Sequence, residues 1–107
     1  MAKKKRHRTE RRAFEREARK LADARERLAA LSAGGAAERP LEVPSASTVE
    51  GTAVSLGCAR CEGEARLEAH DAVAAPDGRL LRRVTLSCKR CGATRAVWLR
   101  VVPDLPS

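Results

Sequence analysis

All four cysteines of the chain fall in two Cys-x-x-Cys pairs, Cys58–Cys61 and Cys88–Cys91, with residues 62–87 between them. Two thiolates three positions apart reach one cation from a tight turn whose backbone amides point at the sulfurs. Two such turns close a tetrahedral shell of four sulfurs, the geometry Zn2+ favours. The spacing therefore points to one structural Zn2+ per chain, ahead of iron, redox thiols or two disulfides. Gly92 follows the second pair directly, where a knuckle often needs positive φ, whereas Glu62 holds the corresponding place after the first. The segment from Leu41 to Ser107 has 67 residues, a size at which an apolar core alone is marginal and a staple is usual.

The elements that must position these thiols are legible around them. In 64–73, Leu67, Ala69 and Val73 are expected on one face of a strand, with Arg66, Glu68 and His70 on the other, so His70 reads as a surface histidine. Pro76-Asp77-Gly78 is a turn signature, because Pro presets φ and Gly accepts positive φ. A return strand follows over 79–87 with Leu80, Val84 and Leu86 inward. A third, over 94–102, has Val97, Leu99 and Val101 on one face and Trp98 on the other. Trp98 is read either as a ring packed on the helix or linker, or as a platform for an unpaired base.

Two knuckles and three antiparallel strands resemble the zinc-ribbon superfamily over Cys58 to about Val102. The resemblance implies Cys58, Cys61, Cys88 and Cys91 as the ligands and a small three-stranded antiparallel sheet. It does not imply an activity, since this fold serves many unrelated jobs.

The rest of the chain divides by composition. Residues 1–40 carry 13 basic and 6 acidic side chains, and residues 41–107 carry 9 and 8. The expected organisation is a disordered cationic tail over 1–9, a basic amphipathic helix over 10–32, a flexible Pro/Gly linker over 33–51, the metal domain over 52–102 and a C-terminal tail over 103–107. The whole is a small metal-stabilised α+β chain. Thr9 is the expected N-cap and Gly34-Gly35 the stop signal. Phe14, Leu21 and Leu28 recur every seven residues as a narrow apolar seam that suits a protein partner.

Lys3, Lys4, Lys5, Arg6, Arg8, Arg11 and Arg12 form the densest cationic cluster, and Arg60, Lys89 and Arg90 lie inside the knuckles. Together these ten are the candidate nucleic-acid contacts, with RNA or DNA the expected partner. The cations in the knuckles also offset thiolate charge. With 2% aromatic residues, a multi-ring stacking sheet is not expected. No apolar run is long enough for a membrane span or a secretory signal, and no phosphate loop, catalytic triad or open catalytic zinc pattern is present. The expectation is a cytoplasmic, non-enzymatic protein with no small-molecule substrate. Its Ala- and Arg-rich composition suggests a bacterial source. An accessory of the ribosome or the transcription machinery is the expected role, with a protein-interaction module as the alternative.

Overall fold

The computed structural model describes residues 2–105, with side chains from Arg8 onward. A single helix, α1, runs Ala2–Leu31. Its start corrects the expected tail: residues 2–9 continue the helix instead of preceding it. Ala, Lys and Arg are strong helix formers, and adding a turn to an existing helix avoids the cost of nucleation. The stop falls where expected. Past Leu31 the chain turns at Gly34-Gly35, and the Arg39 guanidinium donates to the Ala30 carbonyl at 2.8 Å. Thirty residues make a rod about 45 Å long. The Cα radius of gyration is 18.1 Å and the longest dimension 67 Å, where a compact chain of this size would have a radius of about 13 Å. Most of α1 therefore projects from the rest of the protein.

The sheet has four strands in the order β1-β4-β3-β2, from β1 (Leu41–Val43), β2 (Ala65–Ala74), β3 (Leu80–Cys88) and β4 (Thr94–Val101). β2, β3 and β4 form the expected antiparallel meander. β1 adds a parallel edge beside β4, with Leu41 opposite Leu99 and Val43 opposite Val101. The sheet is thus mixed and four-stranded, not three-stranded and antiparallel. β1 comes from the segment expected to be a linker, and a short helix, α2 (Val49–Ser55), begins within it and runs past its expected end at 51. Val43, Val49 and Ala53 are buried with Ala65, Val84, Leu86, Val97 and Leu99 in one core. Structure needed for the core thus begins at Leu41, ahead of the expected boundary at 52. Apolar burial decides this: α2 covers one face of the sheet, which a bare meander would leave wet.

One face assignment and one burial assignment also change. A bulge between Leu67 and Ala69 adds one residue to β2, and one residue reverses every later side chain. His70 consequently lies on the α2 side, opposite Val84. Its Nδ1 is 2.9 Å from the Glu50 carboxylate and its Nε2 is buried without a hydrogen-bond partner. In β3, Leu81 is fully buried and Leu80 is 60% exposed, the reverse of the expected inward residue. The hairpin itself matches its signature: Gly78 has φ +88°, and Asp77 accepts from the Arg79 backbone N–H at 3.0 Å. That bond lowers the Asp77 pKa below the ordinary carboxylate value.

Candidate metal centre

The two knuckles are built alike. The Cys58 N–H donates to the Gly63 carbonyl, and the Glu62 N–H to the Cys58 carbonyl. In the second, the Cys88 N–H donates to Ala93 and the Gly92 N–H to Cys88. Amides then turn onto the sulfurs: Arg60 N–H reaches Cys58 Sγ at 3.3 Å, and the Arg90 and Cys91 N–H groups each reach Cys88 Sγ at 3.3 Å. The β2–β3 pairing places Ala65 beside Cys88, and this register brings the second knuckle against the first.

All four sulfurs lie within 4.8 Å of one another. Cys58 and Cys91 are 3.6 Å apart, and Cys61 and Cys88 3.4 Å. A tetrahedral ion with metal–sulfur bonds of about 2.3 Å needs sulfurs about 3.8 Å apart, so the four cysteines are positioned to hold one metal ion. Cys58 and Cys88 are buried, Cys61 is half-buried and Cys91 is exposed.

Backbone donors set the acidity of these thiols. The Cys91 N–H, helped by Arg90, draws the Cys88 thiol down to about 6. For Cys91, the Ala93 N–H favours the thiolate, but burial and the neighbouring sulfurs outweigh it and push the thiol up to about 11. Cys88 thus gives up its proton more readily than Cys91, and the metal-free site keeps protons that loading the ion must displace. Affinity should rise with pH across the neutral range and fall on acidification. Calorimetric titration with zinc in buffers of different ionisation enthalpy measures the released protons. Loading without proton release would contradict a free site that still holds protons on its thiols.

The residue after each knuckle tests the backbone argument. Gly92 has φ +75° and Glu62 has φ +63°. The left-handed conformation costs a residue with a Cβ roughly 1–2 kcal/mol, partly offset in the exchange by glycine's greater unfolded-state entropy. Glu62→Gly is therefore expected to stabilise the metal-loaded protein by about 0.5–1 kcal/mol, and Gly92→Ala to destabilise it comparably. Urea midpoints read both. The Arg25–Glu62 ion pair, at 3.6 Å and with Glu62 73% exposed, is too solvated to reverse the sign.

Two residues acquire roles that their sequence positions did not announce. A Cβ at Gly63 would lie 3.2 Å from both Cys61 Sγ and Cys88 Sγ, so this glycine lets the chain pass close against the thiols. Its only sequence signal was a glycine two residues past Cys61. Arg95 donates to the Gly57 carbonyl at 3.2 Å. Partial burial lowers its pKa while the nearby Cys58 opposes that shift, and its charge offsets the thiolates. Nothing in its spacing marked it.

The candidate nucleic-acid residues separate. Arg8, Arg11 and Arg12 are exposed on α1, whereas the side chains of Lys3, Lys4, Lys5 and Arg6 lie outside those described. Arg60 is half-buried and is not a free cation. Its guanidinium grips α1 instead, 2.7 Å from Asp23 and 3.4 Å from Glu26, and the Asp23 bond raises its pKa against the opposing pull of burial. Lys89 pairs with Glu64 at 3.2 Å, and Arg90 is exposed. The apolar seam is uncovered, with Phe14 76%, Leu21 52% and Leu28 67% exposed. Trp98 is half-buried, with the Arg83 guanidinium 5.8 Å from its ring centroid.

Among the described residues, no helix is long and apolar enough to cross a membrane. No protein-family model matches the chain, and no curated protein or solved structure is detectably similar to it.

Proposed function

We propose that this is a small zinc protein of the ribbon type that binds RNA or DNA through its cationic N-terminal helix. The observation that carries the reading is the placement of Arg8, Arg11 and Arg12: exposed on a projecting helix and without an ion pair among the described residues. Unneutralised cations on a rod held away from its own domain favour a polyanion. The first turn of α1 contains no acidic residue, so the helix dipole adds to the same preference. Zinc suits the four-thiolate site because its role would be structural: all four positions are filled by protein, leaving none open for substrate. In this reading the ion holds the sheet domain and the protein is not an enzyme.

The test is a binding titration of the zinc-loaded full chain against mixed cellular RNA and duplex DNA at low salt. Binding supports the reading, and its absence for both ligands removes it. The exposed Phe14, Leu21 and Leu28 seam favours a second reading, a protein partner docked on α1. In that case Phe14→Ser with Leu28→Ser should abolish partner capture and leave nucleic-acid affinity unchanged.

A further inference from the structure

The charge on α1 is organised more narrowly than the N-terminal cluster suggests. At 100° per residue, Arg8, Arg12, Arg16, Arg19, Lys20 and Arg27 fall within about 120° of arc. All six are exposed, and none makes an ion pair among the described residues. They run about 28 Å along the rod. Phe14, Leu21 and Leu28 lie on the opposite side. Only two acidic residues of the described helix side chains, Asp23 and Glu26, fall within the basic arc. Both are held by Arg60 from the first knuckle. The knuckle that helps build the metal centre thus offsets part of the negative charge that interrupts the basic side, at the end of α1 nearest the sheet domain.

We infer that this basic side of α1, completed by Arg60, is a binding face for the phosphate backbone of a double-stranded nucleic acid. The inference rests on the nucleic-acid reading above and narrows it to duplexes. Single strands are held by rings on which bases stack as well as by charge. The arc has no ring: Phe14 is on the far side, and Trp98 is half-buried under Arg83. A straight rod with charge along one side complements a ligand whose phosphates are themselves held on a rigid lattice. The arc is about as long as one turn of B-form duplex, roughly 34 Å.

The experiment compares the zinc-loaded full chain with two variants that lose the same charge. One carries Arg12→Gln, Arg16→Gln and Arg19→Gln in the arc, and the other Arg66→Gln, Arg82→Gln and Arg100→Gln on the sheet. Each is titrated by fluorescence anisotropy with duplex DNA, duplex RNA and a single strand of equal length, and folding is checked by circular dichroism. Each lost contact removes about 0.9 from the salt slope. Near 0.1 M salt the arc variant should therefore bind a duplex several hundredfold more weakly, while the sheet variant changes little. The unmodified protein should prefer a duplex to the single strand, and the DNA and RNA arms identify which duplex.

Equal losses in the two variants, or a single strand bound as tightly as either duplex, would overturn the inference while leaving nucleic-acid binding intact. Failure of the unmodified chain to bind any of the three would remove both.

Discussion

Cys88→Ser is expected to unfold the sheet domain. Cys88 is 6% exposed, ends β3 beside Ala65 of β2, and accepts two backbone N–H groups on its sulfur. A hydroxyl there is smaller and does not ionise at neutral pH, so it supplies neither the fourth thiolate nor an acceptor matched to those donors. Structural zinc contributes on the order of 10–16 kcal/mol of apparent binding free energy to small domains. The total stability of an ordinary domain is only about 5–15 kcal/mol. Losing even part of the metal contribution is therefore decisive for a core of eight buried residues. Chelation of the unmodified protein should do the same.

Trp98, the only tryptophan, sits on β4 and lines a cavity with Ala29 and Ala30 of α1, so its fluorescence reports the sheet and the end of the helix packed beside it. Cys91→Ser should be milder, because Cys91 is the exposed ligand and a water can take its place at the rim. A Cys88→Ser protein that keeps its Trp98 emission and cooperative melting after losing the metal would show that the ion is not structural.

The second large effect concerns the cationic cluster. Replacing Lys3, Lys4, Lys5, Arg6, Arg8, Arg11 and Arg12 with Gln is expected to reduce nucleic-acid affinity by three or more powers of ten at low salt. Each phosphate contact adds about 0.9 to the salt slope on duplex DNA. Four engaged cations, at about 0.1 M salt, would account for this loss. Helicity should survive, since Gln is nearly as good a helix former as Lys or Arg. Circular dichroism separates a loss of charge from a loss of structure. An affinity within tenfold of the unmodified protein would place binding elsewhere on the chain.

What the sequence made legible follows from where strong local signals lie. The four cysteines, the gap between their pairs and the Pro76–Gly78 turn each have a specific chemical requirement, and the metal cluster and hairpin follow them. The long Gly- and Pro-free run from Glu10 to Leu31 identified α1, although not its start, because a dense cationic run reads equally as solvated coil. β1 was hidden because three residues between Pro40 and Pro44 are too few to show a period, and its partner strand lies far along the chain. α2 was hidden by Gly51 and the β-branched Val49, Thr52 and Val54 in a seven-residue helix, which forms because Val49 and Ala53 bury against the sheet. The bulge in β2 has no residue signature, yet it reversed His70. Arg60 was read as a knuckle-tip cation. Its partners, Asp23 and Glu26, are more than thirty positions away, and only the packing of α1 beside the first knuckle brings them together.

The central claim, that the projecting helix binds nucleic acid by charge, is tested most directly by the salt dependence of affinity for the unmodified, zinc-loaded chain. The dissociation constant for duplex DNA should be measured between 50 and 200 mM salt. The expected log–log slope is about 5, equivalent to roughly six neutralised phosphates. A slope near zero, or no binding even at 50 mM, would contradict it and leave the exposed Phe14, Leu21 and Leu28 seam as the surface to pursue.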